Sequence, residues 1–172
     1  MNPPLLYTAS VPVFQRYLRQ LGLMLDAAQA ELTAGRLSEA QLLEARLAPD
    51  MLPLRLQVEI AAGFVLRACA PLQGQAVPPL GTPDPGLAGL QALLQERLSY
   101  LDSLVAESFR EAELRQISSD AGQAQLQLPA TEFLQHLALP NFFFHLTCTY
   151  ALLRQLGVPL GKQDFDGLHR YR

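Results

Sequence analysis

Apolar residues recur at spacings of three and four along much of this chain, and they mark one run most strongly, Thr131 to Gly157. Leu134, Leu137, Leu146, Tyr150, Leu153 and Leu156 fall at helical spacing, and Phe142, Phe143 and Phe144 spread apolar surface around most of the circumference. This pattern predicts a long, largely buried helix. Thr131 supplies an N-cap, and Glu132 places an acid in the first turn where the helix dipole favours it. Arg154, Gly157 and Pro159 form a C-terminal stop.

The rest of the chain reads as shorter versions of the same pattern. Residues 1–9 are expected to be an extended arm. Ser10 caps a helix that tolerates Pro12 early and carries Val13, Phe14, Tyr17, Leu18, Leu21 and Leu25 toward Leu32, with Gly35 as its end. Ser38 and Gln41 form a capping box for a short helix to about Leu47, which Pro49 stops. After a hinge at Asp50 to Pro53, Leu54 to Ala70 is a further long helix. The segment PLQGQAVPPLGTPDPG is a loop on its proline and glycine content. Leu90, Leu93, Leu94, Leu98, Leu101 and Leu104 predict an amphipathic helix from Leu87 to about Phe109. Glu113 to Ile117 and Ala124 to Leu128 flank SSDAGQ and predict a β-hairpin. A tail after the last long helix packs along the bundle for part of its length, with Lys162, Asp164 and His169 solvated. The fold class is therefore all-α: an antiparallel four-helix bundle with a small β-hairpin before the last long helix, forming one domain over residues 1–172.

Pro140 is the defect in the main helix. Its ring removes a backbone donor and clashes with the carbonyl of His136, so a kink or break is expected near Leu139. His136 and His145 lie nine residues apart, roughly half a turn around a straight helix, and cannot act as paired ligands. Asn141, His145 and Cys148 do share a face, at spacings of four and three, and form the best candidate site.

Composition narrows the function classes. With 49% apolar and 17% charged residues, the chain can bury a core as one domain. A formal net charge of −3 and the lack of a basic run argue against nucleic acid as a partner. No apolar run approaches the roughly 20 residues of a membrane span. The start MNPPLLYTAS lacks the basic and apolar segments of a signal peptide, which predicts a cytoplasmic location. Cys69 and Cys148 have no framework spacing and read as buried thiols. No nucleotide-binding glycine loop, Gly-x-Ser-x-Gly elbow or Cys-x-x-Cys is present.

The stretches RLAPDMLPLRLQV, from Arg46, and HLALPNFFFHLTCTYALLRQLGVPLGKQDF, from His136, resemble a bacterial domain-of-unknown-function family grouped with the DinB/YfiT-like metalloenzymes. The opening SVPVFQRYL fits as well, so the resemblance spans nearly the whole chain. It implies a four-helix bundle, often a homodimer, with a divalent metal such as zinc, nickel or manganese held by three histidines. Two of these stand four residues apart on the last long helix. Some members of the superfamily are thiol-dependent transferases or isomerases. Residue by residue, His145 matches the second histidine of the pair, Asn141 stands where the first would be, and the third position lies near Gln57. Two amides in place of imidazoles remove most of the affinity for zinc or nickel.

Two readings follow for each candidate. In the functional one, His145 and Asn141 are the catalytic pair, and Gln57, Cys148 and His136 bind a small-molecule ligand. His145 would be a metal ligand only if a metal binds. In the structural one, His145 is a core histidine satisfied by a carbonyl or by Gln57, Asn141 bonds backbone groups that Pro140 freed, and Cys148 and the phenylalanines are packing. Asp50, Arg46 and Arg55 read as an ion pair or cap at the hinge. The function expected is a small-ligand-binding or degenerate metalloenzyme-like bundle with a cleft around His145. The alternatives are a metal-dependent thiol transferase or isomerase, and a non-catalytic interaction module.

Overall fold

A computed structural model describes residues 2–170. Met1 of the expected arm and Tyr171 and Arg172 of the expected tail lie outside the described residues. The elements in order are α1 (Leu5–Thr8), α2 (Val11–Thr33), α3 (Glu39–Leu43), α4 (Leu54–Leu72), α5 (Leu87–Ser103), β1 (Gln116–Ala121), β2 (Ala124–Pro129), α6 (Ala130–Glu132), α7 (Leu139–Gln155) and α8 (Lys162–Asp166). Two 3₁₀ turns, Ala106–Phe109 and Ala112–Leu114, lie between α5 and β1. A π-helical segment, Phe133–Ala138, joins α6 to α7.

The four longest helices pack around one core. α4 lies against α7 and α5, while α2 lies against α5, α7 and α8. Phe14 of α2 meets Phe142 of α7 edge to face, with ring centroids 4.9 Å apart, and both are fully buried. Burying a side chain of this size contributes about 1.5–3 kcal/mol. Tyr17 packs in the same way on Phe143, at 4.8 Å, and on Phe165 of α8, at 5.8 Å. The periodic leucines of α2 and α5 thus find their partners across the bundle.

Local chemistry sets most boundaries. The capping box forms as expected, with Gln41 N–H donating to Ser38 Oγ and Ser38 N–H donating to Gln41 Oε1. Glu39 of α3 also reaches across to accept from Leu87 N–H at 2.8 Å, so a neighbouring helix supplies the cap that Gly86 cannot. Glu31 and Arg36 form a two-bonded ion pair at the end of α2, at 2.5 and 2.8 Å. Beyond α8, Asp166 accepts from the backbone N–H groups of His169 and Leu168, which holds its carboxyl down to about 2.

Several expected boundaries are corrected. The arm contains a helical turn, α1. Ser10 stands at the N-cap of α2 as expected, but its hydroxyl does not cap that helix and instead donates back to Leu6 O at 2.5 Å. α3 stops at Leu43 and α5 at Ser103, and buried Phe109 sits on a 3₁₀ turn against Tyr7. The hairpin loop is Gly122 and Gln123 alone, with Ala121 paired to Ala124, so the residues SSDA belong to β1. Gly122 has φ 63, as a tight two-residue loop requires at its first position. At the hinge, Arg55 pairs with Glu44 at 3.0 Å and Arg46 donates to Met51 O, so neither arginine bonds Asp50. Asp164 belongs to α8 and accepts from Gly161 N–H. His169 bonds Asp166.

The main helix differs most from expectation. Thr131 lies inside it, one residue past its start at Ala130. Pro140 does not break it: Ala138 and Leu139 keep helical dihedrals, and the chain runs without interruption from Ala130 to Gln155. A widened turn, Phe133–Ala138, stands directly before Pro140 where a kink or break was expected. Bonds to the fifth residue back re-aim the carbonyls that the ring would otherwise strike.

Candidate functional site

The site lies where the first turns of α4 face α7. Pro53 sets an extended backbone at the mouth of α4, and Gln57 follows in the first turn, 1% exposed. Its Nε2 donates to Leu52 O at 3.1 Å, and its Oε1 lies 2.7 Å from His145 Nδ1. The first bond fixes which end of the amide is oxygen. His145 Nδ1 must then carry the hydrogen, and in the neutral ring Nε2 carries the lone pair, an assignment that follows from the hydrogen-bond network.

His145 is half-buried between aromatic groups. Phe64, two turns along α4 from Gln57, stacks on it with centroids 6.3 Å apart, and Phe144 meets it edge to face at 5.2 Å. Arg67, one turn further, places its Cζ 5.5 Å over the Phe64 ring. Burial pushes the imidazole below the ordinary histidine range, and the Arg67 charge pushes the same way. At neutral pH the ring is therefore an uncharged base with an oriented acceptor.

The other expected residues divide clearly. Asn141 Nδ2 donates to Leu137 O at 2.8 Å. That is the carbonyl one turn back, so the amide serves the distorted helix. Cys148 is buried, and burial raises its thiol above the ordinary range, away from the reactive thiolate. Thr149 donates to His145 O at 3.0 Å and steadies the turn after it. His136 is exposed and lies on the π segment, roughly 13 Å along the axis from His145. The structure thus brings Gln57 and His145 together and leaves His136 apart from them. Phe64 and Arg67 are members that sequence reasoning missed, although spacings of seven and three after Gln57 place them on one face of α4.

The donors do not suit a metal. One imidazole and one amide meet here, the Gln57 amide is bonded at both ends, and the Asn141 amide is bonded to Leu137 O of its own helix. Among the described residues, no group of three or more His, Cys, Asp or Glu could hold an ion. Zinc and nickel sites need such convergence.

The comparisons agree with this architecture. The family model described as "Domain of unknown function (DUF1993)" matches residues 6–166. No curated protein matches the chain. The crystal structure of a DinB family member protein from Shewanella denitrificans is similar, with 33% sequence identity and a TM-score of 0.86 over 97% of this chain and 94% of that one. A match over nearly its whole length, on a DinB-like helical bundle, establishes that this chain belongs to the DUF1993 family of domains of unknown function.

Proposed function

We propose that this protein is a small-ligand-binding bundle in which neutral His145 meets the ligand through Nε2, at a place where the DinB-like fold has lost its metal. In this reading α2, α4, α5 and α7 are the four helices of an antiparallel bundle, and the His145 cleft opens between α4 and α7. The observation that carries it is the 2.7 Å bond between Gln57 Oε1 and His145 Nδ1. A buried amide locks one tautomer, and the lock presents a base in a fixed direction. A ligand hydroxyl, amide or thiol would donate to that nitrogen, and a depressed imidazole pKa favours accepting a hydrogen bond over holding a charge. Exposed Phe144 and half-buried Phe64 would flank an apolar part of the same ligand.

The test combines binding and metal analysis. Untagged protein is expected to contain no stoichiometric metal after titration with zinc, nickel or manganese. A panel of small polar metabolites, followed through the His145 imidazole signals by NMR, is expected to yield saturable binders whose affinity falls at least about tenfold in His145→Asn. Stoichiometric metal that disappears in His145→Ala would overturn the reading in favour of a metalloenzyme. A panel that leaves the imidazole untouched, with His145→Phe more stable than wild type, would make the histidine a packing residue.

A further inference from the structure

A concave surface lies one turn along α4 from Phe64, at Arg67. It is a cavity of about 480 Å³ between the exposed side of α4 and the hairpin, lined by Arg67, Ser118, Ser119, Asp120 and Gln125 among others. Two of these are opposite charges. Arg67 has no hydrogen bond or ion pair among the described residues; it lies over Phe64, and its charge acts on His145. Asp120 makes no ion pair there either, so the two charges face one cavity without neutralising each other. Opposite charges that line one cavity without pairing with each other leave both free to meet a molecule that carries the two complements.

We infer that this cavity binds a small zwitterion of the α-amino-acid class, with its carboxylate on Arg67 and its ammonium on Asp120. The guanidinium offers a planar fork of donors suited to a carboxylate. The aspartate accepts from an ammonium. The hydroxyl of Ser118 and the amide of Gln125, on the same face of the ribbon as Asp120, supply uncharged hydrogen bonds between the poles. Asp120 and Gln125 are directly paired across the hairpin, so both stand at one level of the ribbon. The volume exceeds that of a single amino acid, and the wall formed by α4 continues through Phe64 to His145. The inference deepens the proposal above and rests on it only for the step that a ligand held at Arg67 extends to His145.

The experiment uses the full chain labelled with ¹⁵N and the common free L-amino acids as probes. At least one amino acid is expected to shift the backbone amides of Ser118, Ser119 and Gln125 saturably. The N-acetyl and methyl-ester derivatives of that amino acid, each lacking one charge, are expected to bind at least about tenfold more weakly, and so is the parent amino acid to Arg67→Gln and to Asp120→Asn. Arg67→Lys, which keeps the charge but loses the fork, should fall between. The inference is overturned if no amino acid binds, if a singly charged derivative binds as well as its parent, or if Arg67→Gln binds normally. Hairpin shifts that survive in His145→Asn would uphold it even where the His145 proposal fails. Shifts confined to the His145 ring would do the reverse.

Discussion

Gln57 spends both ends of its amide, one on Leu52 O and one on His145, inside a nearly sealed interior. Gln57→Leu keeps the volume and removes both partners. It is expected to lower the unfolding free energy by about 1–3 kcal/mol in urea titrations, because a buried N–H and a carbonyl lose their bonds. Protonation adds a second test. The folded imidazole has a lowered pKa, so the unfolded chain binds the proton more readily. Stability from this group is therefore complete above the unfolded value near 6.5 and declines as pH falls toward the lower folded value. Urea unfolding between about pH 7 and 5 should show a shallower decline in His145→Asn than in wild type. An unchanged slope would refute the assignment. At this scale the sequence was partly legible. Pro140 announces an unpaired carbonyl at His136, yet the Asn141 amide bonds the next one, Leu137 O, a choice that the sequence does not fix. Gln57 emerged only through a family resemblance, since nothing in an apolar helix says which polar position faces which neighbour. Arg67 was hidden for the same reason, its role depending on a hairpin whose placement the pattern leaves open.

Pro140 shows what an element can conceal. A proline removes one donor and imposes one clash, and both a kink and a widened turn answer those demands. The choice here is the π segment, whose Phe133, Leu134 and Ala138 are buried, so tertiary packing rather than local propensity decides it. The end of the helix, with Arg154 in its last turn and Gly157 at positive φ beyond it, was legible because it is local, whereas the start falls at Ala130, one residue before the expected cap Thr131. Two helical glycines make the contrast testable. A Cβ at Gly89 would meet Asp84 O at 1.8 Å, whereas one at Gly22 would meet nothing within 4 Å. Gly89→Ala must push the loop off α5 and is expected to cost about 1–3 kcal/mol or more. Gly22→Ala is expected to stabilise by about 0.5–1 kcal/mol, as helical alanine ordinarily does. Thermal denaturation of the two variants, moving in opposite directions, is the check. A destabilised Gly22→Ala would refute the open space assigned to that face of α2.

The whole molecule is a helical bundle because its apolar stripes have no other way to leave water, and that class was legible from periodicity. Which helices touch was not, since pairing depends on side chains distant in sequence. The clearest case is the attachment of α8 to α2. Gln20 donates to the carbonyls of Gln163, at 3.3 Å, and Asp164, at 2.9 Å, and Tyr17 packs on Phe165. Apart from the four-residue turn α1, the elements that pack on α2, among them α5, α7 and α8, follow it in the chain. During synthesis, at roughly 5–20 residues per second, α2 therefore waits on the order of ten seconds for its last partner. A helix in a protein draws most of its stability from the packing of its apolar face, and the leucine face of α2 stays uncovered meanwhile. The ribosome-bound chain thus carries a sticky, half-formed helix through most of its manufacture, and the latch that finally seals it is among the last parts made.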